Sequence, residues 1–357
     1  MKSERERILQ MVQDGKLSVD EALTLLSALD KQHAGKNVED NAYSENEDGF
    51  FGNSIGKKVT GTKSRLLDFV DAAFKKVKEA DLDFNFGPYV EMEHVFQRDD
   101  ALINRIQVDI NNGKTSIIPW EQNGIRIECA AKIYRVENKD EAKELFLQQT
   151  HFDIQDGELR FNSKEKTMKI DATIFVPQSQ YDMLDVRMFN GGIHSENIHA
   201  AKMKAKTANG HITILNHTGS HADYETGNGN IKVEQGTLEK LNAETLNGAI
   251  KIDGSFDKVD AQSFTGDISC ELTGTESKYI HGKTVTGRIC IHLEEGREAK
   301  GELKSNMGSL QVNLKEVIVV EEKNEVVNKL LRFETKDASM RPMHIFAETK
   351  SGSITIE

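Results

Sequence analysis

A short cassette that returns about every nineteen residues constrains the fold of this chain more than any other feature of the sequence. Its consensus is Ala-x-Thr-x-Asn-Gly-x-Ile-x-Ile, and repetition at a fixed short period is typical of stacked or coiled β architectures. One such unit is too small to bury its own apolar side, so neighbouring units must stack. The glycines of the cassette are Gly191, Gly210, Gly229, Gly248, Gly266, Gly287, Gly308 and Gly352.

Each cassette has the residue pattern of two short strands joined by a sharp corner. Aliphatic residues stand two and four positions after most of the glycines, as at Ile212 and Ile214, with a mostly polar residue between them. This period of two predicts a strand with one buried face. Pairs such as Asn228-Gly229 accept the positive φ that a tight corner requires. A Thr or Ser precedes the glycine by three positions at Thr207, Thr226, Thr245, Ser263, Thr284, Ser305 and Thr349.

Two ways of stacking the cassettes fit this pattern. In a β-solenoid, parallel rungs place one residue type above itself in every turn, which agrees with the recurrence of each type at one cassette position. An antiparallel β-sandwich or meander is the alternative, because Asn-Gly corners also form plain hairpins. The sequence favours the solenoid. The predicted fold is therefore mainly β, with an N-terminal α-helical hairpin and a C-terminal β-solenoid-like repeat array.

The amino-terminal part is predicted to be helical. Residues 1–33 are predicted to form a helical hairpin, because Ser18 and Glu21 make a capping box ahead of a second apolar stripe. We expect this hairpin to serve as an interaction domain. Residues 34–61 are a flexible acidic linker. Residues 62–80 form an amphipathic helix with basic flanks, which either packs on protein or lies on an anionic membrane. The candidate interaction residues of this helix are Leu66, Phe69, Val70, Phe74, Lys75, Lys76 and Lys78.

Two β regions follow the helices. Residues 81–180 are predicted to form a β-rich unit with one helix, and residues 181–357 form the repeat array. Asn112-Gly113 resembles a degenerate cassette, which leaves open that the first unit is a divergent beginning of the same array. A charged insertion near residues 315–344 interrupts the period, and we predict a loop or short helix that leaves the stack.

Composition narrows the class of partner and the compartment. The net charge of -12 argues against non-specific binding of nucleic acid, which needs clustered Lys and Arg. Three cysteines make no disulfide framework, and no apolar run is long enough to span a bilayer. The charged amino end lacks the apolar segment of a secretory signal. The prediction is a cytoplasmic protein, peripheral to the membrane if the helix at 62–80 binds lipid.

The sequence contains no motif for phosphate cradling, nucleophilic catalysis or zinc hydrolysis, which favours a protein that is not an enzyme and needs no cofactor. Five histidines lie in two neighbouring cassettes but at different cassette positions, so solvated side chains are favoured over a zinc site; such a patch would respond to pH near about 6.5. Carboxylates scatter over corners and faces, which suits solubility better than glycan cleavage. The histidines are His194, His199, His211, His217 and His221, and the carboxylates include Glu225, Glu234, Glu244, Asp253, Asp257 and Asp267.

Several segments together carry a family likeness. The opening KSERERILQMVQDGKLSVDEALTLLSAL, the segment LLDFVDAAFKKVKEADLDFNFG and the stretch PWEQNGIRIECAAKIYRVEN, followed by the repeat array, resemble the LiaX/YvlB type of Gram-positive cell-envelope stress protein over nearly the whole chain. The array itself resembles the putative-adhesin repeat family.

This resemblance implies a non-enzymatic binding and regulatory protein of the cell-envelope stress response. It implies a protein partner of the stress system. The amphipathic helix at residues 62–80 makes an anionic membrane surface a further or alternative partner, and the helical hairpin is a candidate for homo-oligomer formation. The alternative is a surface adhesin or a glycan-active β-solenoid protein, with export to the cell surface by a non-classical route. The resemblance supplies no catalytic, cofactor-binding or metal-binding residues.

Overall fold

The computed structural model describes residues 87–274, 277–336 and 342–357. The predicted helical hairpin, acidic linker and amphipathic helix of residues 1–80 lie outside these residues. The described part consists mainly of strands, and all 22 of them join one sheet.

The bounds of the elements follow the chain. The strands are β1 (Tyr89–Arg98), β2 (Arg105–Trp120), β3 (Ile125–Tyr134), β4 (Thr150–Gln155), β5 (Glu158–Ser163), β6 (Met168–Pro177), β7 (Gln180–Asn190), β8 (Ile193–Glu196), β9 (His199–Asn209), β10 (Ile212–Leu215), β11 (Thr218–Asn228), β12 (Ile231–Asn247), β13 (Ile250–Thr265), β14 (Ile268–Leu272), β15 (Tyr279–Lys283), β16 (Ile289–Leu293), β17 (Ala299–Met307), β18 (Leu310–Val312), β19 (Val317–Asn324), β20 (Lys329–Thr335), β21 (Met343–Ser351) and β22 (Ile354–Ile356), and the helix is α1 (Lys139–Gln149).

Each cassette forms one rung of a parallel stack. A rung consists of a longer strand, a corner at the cassette glycine and a shorter strand, as in β9 followed by β10. Strands of the same kind pair in parallel and in register, so Ala222 lies between Met203 and Leu241 of the neighbouring rungs. The outward side chains of the longer strands form what we name the long-strand face, and those of the shorter strands form the short-strand face.

The core runs through the middle of the stack as rows of inward side chains. Ile212, Ile231, Ile250, Ile268 and Ile289 lie in register on successive short strands, and each is at most 1% exposed. Full burial of an isoleucine side chain is worth about 1.5–3 kcal/mol. Because the side-chain period of a strand is two, a slip of one residue would turn this whole row to solvent, which fixes the register.

The Thr or Ser of the cassette bonds one rung to the next. Its hydroxyl donates a hydrogen bond to the glycine carbonyl of the preceding rung in space, as from Thr226 Oγ1 to Gly210 O at 2.9 Å. This bond satisfies a corner carbonyl that would otherwise face the protein interior. The same contact recurs from Thr207 to Gly191, Thr245 to Gly229, Ser263 to Gly248, Thr284 to Gly266, Thr349 to Gly287 and Ser305 to Gly352.

The Asn of the cassette forms a second ladder, on the outside of the same corner. Asn190 Nδ2 donates to Asn112 Oδ1 at 3.0 Å, and Asn209, Asn228 and Asn247 each donate to the asparagine one rung earlier at 2.8 Å. The positive φ of the corner is taken by the glycine that follows, +159° at Gly210 and +158° at Gly229. The asparagines therefore hold neighbouring corners together rather than form the turn.

We expect Asn228→Ala to lower the free energy of unfolding by about 1–2 kcal/mol, because the change removes two hydrogen bonds of the ladder at a solvent-exposed corner. Urea unfolding followed by circular dichroism measures this loss. Asn324→Ala is the matched control, since the Asn324 side chain makes no hydrogen bond to another described residue. An equal loss in both variants would show that the ladder contributes nothing of its own.

The order of the rungs in space differs from their order in the sequence at both ends of the stack. β2 forms a whole rung by itself and lies between the rung of β5 and β6 and the rung of β7 and β8. β21 and β22 lie between the rung of β15 and β16 and the rung of β17 and β18. The first and the last described cassettes are therefore both interior rungs.

Antiparallel strands and helix α1 cover the amino-terminal end of the stack. β3 pairs with β6, β1 with β3, and β4 with β5. The helix begins after Asn138, whose Oδ1 accepts a hydrogen bond from the Glu141 N–H at 2.9 Å. Phe146 on the buried side of the helix packs near Phe96, which also contacts Phe152. These aromatic rings close the end of the core.

A β-hairpin covers the other end. β19 pairs antiparallel with β20, and β20 pairs antiparallel with β17. The prediction of a loop or short helix near residues 315–344 is wrong, because Val317–Asn324 and Lys329–Thr335 continue the sheet. Leu331 and Phe333 of β20 turn inward and are 8% and 2% exposed, which extends the core into this hairpin.

The predicted fold, an α-helical hairpin joined to a separate C-terminal β array, is wrong for the residues that the structure describes. In the described residues the one helix is α1, and it lies within the β region. The sheet is continuous from β1 to β22, and Asn112 lies beside Asn190 in parallel register, which confirms Asn112-Gly113 as a cassette corner. The antiparallel alternative is also wrong, because successive cassettes pair in parallel. The hairpin at residues 1–33 lies outside the described residues.

Candidate functional site

The outward side chains of the long-strand face form straight rows, because parallel strands in register place one cassette position above itself. Neighbouring strands lie about 4.8 Å apart, which sets the spacing along a row. One row is formed by the residue five positions before the cassette Thr or Ser position. It runs through Glu158, which is bound by Arg160, and then through Arg105, Met183, Lys202, His221, Lys240, Lys258, Tyr279, His344 and Lys300.

Basic side chains dominate this row. We name the five exposed ones, Arg105, Lys202, His221, Lys240 and Lys258, the cation row. The side chains of Arg105, Lys202, Lys240 and Lys258 make no hydrogen bond or salt bridge with any described residue. From Arg105 to Lys258 the row crosses five strand spacings, a length of about 24 Å.

Three cations nearer the glycine corner of the same face are ion-paired, in contrast to the cation row. Lys206 Nζ lies 2.7 Å from Glu225 Oε1, and Lys283 Nζ lies 3.0 Å from Glu348 Oε2. Arg187 binds the neighbouring Asp185 at 2.8 Å. Lys204, two residues after Lys202 on the same face, is half-buried and also makes no hydrogen bond or salt bridge with a described residue. The lack of partners is therefore most regular at the position of the cation row, but it is not confined to it.

Carboxylates flank the cation row, but most of them are held by neighbours. Asp260 accepts hydrogen bonds from His281 Nδ1 at 3.0 Å and from Gln262 Nε2 at 2.9 Å. Burial acts to raise the pKa of Asp260, but the hydrogen bond and charge of His281, the Gln262 bond and the charge of Lys240 outweigh it, so the pKa lies below its ordinary value. Asp223 likewise accepts from Asn242.

The short-strand face carries a weaker row. Its outward side chains lie in register at His194, Thr213, Lys232, Lys251, Ser269 and Cys290. Lys232 Nζ lies 2.8 Å from Glu234 Oε1. Lys251 is exposed and its side chain has no hydrogen-bond partner among the described residues. Its basic side chains are two adjacent lysines and His194, so it serves as a comparison for the cation row.

The five neighbouring histidines do not share one environment. His199, His211 and His221 are exposed and His194 is half-buried, but His217 is fully buried. Within the described ranges, no group of three or more His, Cys, Asp or Glu side chains is placed to hold a metal ion. The interpretation of all five as solvated side chains is wrong for His217, which faces the core beside Tyr224.

His217 and Tyr224 form a buried polar pair. The Ala200 carbonyl lies 3.1 Å from His217 Nε2 and can only accept, so Nε2 carries the proton and Nδ1 accepts from the Tyr224 hydroxyl at 2.8 Å. Burial lowers the pKa of His217 to about 4, and the nearby charge of His199 acts in the same direction. Burial also raises the pKa of Tyr224. Both side chains are therefore neutral at pH 7.

The carboxylates considered for glycan chemistry occupy several places. Glu225 and Glu244 lie side by side on the long-strand face, with Glu225 bound by Lys206. Asp253 lies beside Glu271 on short strands. Asp257 and Asp267 lie near corners and are bound by Lys278 and Arg288 at 2.5 and 2.8 Å. These groups do not gather around one cleft.

The candidate interaction residues at positions 66, 69, 70, 74, 75, 76 and 78 lie outside the described residues. Among the helices that the structure describes, none is both long and apolar enough to cross a bilayer. The cation row was missed by the sequence analysis, which followed the cassette forward from its glycine. Counting five residues back from each cassette hydroxyl, to Lys202, His221, Lys240 and Lys258, would have found it.

Two family models match the chain. The model described as Toastrack DUF4097 matches residues 103–357, and the model described as a SHOCT-like domain matches residues 3–32. A Bacillus subtilis protein named "Uncharacterized protein YvlB" is 40% identical over 364 residues, which cover 100% of this chain and 99% of that protein. The predicted resemblance is thereby confirmed as far as YvlB.

Several solved structures are similar at low identity. One described as a putative adhesin from Bacteroides fragilis is 14% identical with a TM-score of 0.36, and covers 74% of this chain and 97% of its own. A second, from Parabacteroides distasonis, is 12% identical with a TM-score of 0.39, over 74% and 97% of the two chains. A "Putative lipid binding protein" from the same species is 10% identical with a TM-score of 0.35, over 74% and 96%.

Proposed function

The chain belongs to the Toastrack DUF4097 family, and from that premise we propose that it is a non-enzymatic binding and regulatory protein of the cell-envelope stress response. In this proposal the β stack is a rigid recognition surface, and the segments at 1–33 and 62–80 contact a protein partner or the membrane. The likeness of the whole chain to YvlB supports the modular order, and the sequence resemblance to envelope-stress proteins supports the process.

The observation that carries the proposal is the regular display of outward rows on a sheet that neighbours hold in register. Side chains on such a sheet keep fixed spacings, as a recognition surface requires. One cavity of about 200 Å³ lies beside β2 and β5, below the size of typical small-molecule sites, and is lined by Gln107, Asp109, Arg160, Phe161, Asn162 and Lys164.

The membrane contact is tested with the full-length chain and vesicles. We expect co-sedimentation with phosphatidylglycerol vesicles and not with phosphatidylcholine vesicles. We expect Phe69→Glu with Phe74→Glu to weaken this binding at least about tenfold, because the apolar side of an amphipathic helix supplies most of its membrane affinity. Val326→Glu is the control, since Val326 is 93% exposed on the β19–β20 hairpin.

Two outcomes contradict the membrane contact. One is binding that the double variant leaves unchanged, and the other is no sedimentation of the wild-type chain. In either case the contact would be with protein, and residues 1–33 would be the bait for its capture. Position on the cytoplasmic side is part of the proposal, with the cell surface as the alternative. Protease treatment of intact and of lysed cells distinguishes the two locations.

A further inference from the structure

The cation row raises the question of what lies along it. Its members are exposed, four of them have no hydrogen bond or salt bridge within the described ranges, and they stand in single file across the strands. Lysine side chains on a stable sheet commonly pair with neighbouring acids, as Lys206 and Lys283 do on this same face. Four cations of the row are therefore held by no direct hydrogen bond or salt bridge within the described ranges, although the charge of Lys240 also acts on Asp260.

The carboxylates beside the row determine the shape of a ligand that fits. Asp182, Glu239 and Asp257 each directly precede a row position, and Asp223 and Asp260 each follow one by two residues. A flat anionic surface laid on this face would meet these carboxylates together with the cations. A narrow chain of negative charges laid along the row would lie closer to the cations than to most of these carboxylates. The flanking carboxylates thus favour a linear anionic polymer over a flat anionic surface as the ligand.

We propose that the cation row binds a linear polymer that carries one phosphodiester charge per repeating unit, laid across the strands along the axis of the stack. Row positions recur every strand spacing, so successive charges of the polymer have partners at about 5 or 10 Å. Single-stranded nucleic acid binders stack bases on exposed aromatic side chains, whereas the tyrosine at the next position of the row, Tyr279, is half-buried. The inference deepens the proposed function by naming the class of partner for the β stack.

The probe is a fluorescently labelled poly(glycerol phosphate) of about ten units, added to the full-length chain carrying Phe69→Glu and Phe74→Glu so that the segment at 62–80 does not contribute. Anisotropy gives the Kd between 20 and 200 mM NaCl. Each charge contact with a single-stranded polyanion contributes a slope of about 0.7 in log Kd against log salt, which is about fivefold in affinity at 0.1 M relative to 1 M. Four unpaired cations give an expected slope of about 3.

Variants of the row test the placement. We expect Lys202→Gln, Lys240→Gln and Lys258→Gln each to weaken binding about fivefold and to lower the slope by about 0.7. Lys232→Gln with Lys251→Gln, two neighbouring cations of the short-strand face, is the matched control and is expected to change neither. Thermal unfolding of every variant verifies that the fold is retained.

Two variants should strengthen binding, which a merely structural role would not produce. Met183 occupies the row position between Arg105 and Lys202, so Met183→Lys fills the gap and is expected to tighten binding about fivefold with a steeper slope. Glu239 is exposed beside Lys240 without a hydrogen-bond partner among the described residues, so Glu239→Gln is also expected to tighten binding.

Two further ligands that carry the same phosphate group show whether binding requires the linear polymer. Monomeric glycerol phosphate should bind at least about a hundredfold more weakly than the polymer, because a single unit has no multivalent gain. Phosphatidylglycerol vesicles present the same headgroup on a plane. The proposal is overturned if the polymer does not bind, if the short-strand control weakens it as much as the row variants, or if only vesicles bind through the row. Those failures leave the proposed function intact, because it is tested through Phe69 and Phe74.

Discussion

Replacing Gly191 with alanine is expected to prevent formation of the stable stack, with a loss of at least about 4 kcal/mol in the free energy of unfolding. A Cβ at this corner would overlap the Gly113 carbonyl oxygen of the neighbouring rung and would lie 2.7 Å from its carbonyl carbon. That carbonyl belongs to the backbone, so no side-chain rotation relieves the contact. The φ of Gly191, +151°, adds strain for any L side chain.

Gly296→Ala isolates the conformational part of this effect. Gly296 also has a positive φ, +81°, but a Cβ there would meet nothing within 4 Å. We expect this control to lose only about 1 kcal/mol. Urea unfolding of the two variants, with yield of soluble protein as a second readout, compares them. Similar losses in both would mean that close stacking of the corners is not what requires glycine.

Acidification is expected to destabilise the fold through His217. The pKa of this side chain is about 4 in the folded chain, against about 6.5 for an exposed histidine, so the neutral form is favoured by folding. The resulting stability is fully present above about pH 6.5 and is lost as the pH falls from there towards 4. This difference in pKa corresponds to about 3 kcal/mol in the free energy of unfolding.

His217→Gln tests the origin of this loss. Glutamine does not titrate, and its amide N–H can still donate towards Ala200 O, so the variant should lose less stability than the wild type between pH 6.5 and pH 4. His94 and His344, whose pKa values are lowered by partial burial and by nearby lysines, keep a smaller slope of the same sign. His221→Gln is the control for an exposed imidazole of the same rung. If it flattens the profile as much as His217→Gln, the buried pair is not the cause.

The stacking of the array could be predicted from the sequence because its cause is local and repeated. A period of two after each glycine fixes which side chains turn inward, as Ile231 and Ile250 do, and the constant length between glycines keeps the same residues in register. The two hydrogen-bond ladders are formed by residues that the cassette pattern had already identified, such as Thr226 and Asn228, although the bonds themselves were not predicted.

The rest could not be predicted because its causes lie far apart in the chain. The residues of β21 do not indicate that it lies between β15 and β17. That position depends on its pairing with these two strands, both of which lie earlier in the sequence. The burial of His217 depends on the Tyr224 hydroxyl and the Ala200 carbonyl, which only the stacked rungs bring together. The cation row depends on the register that aligns Lys202, Lys240 and Lys258 across strands.

The interior position of β21 and β22 has a consequence for how the chain is made. During translation, β17 to β20 are synthesised before β21 and β22, which must lie between them and the rung of β15 and β16. At about 5–20 residues per second, this end of the stack waits for seconds without its inner rung. The hairpin of β19 and β20 can therefore dock onto a completed stack only after residue 356 has been synthesised. A chain that stops early leaves this end open for chaperones and proteases.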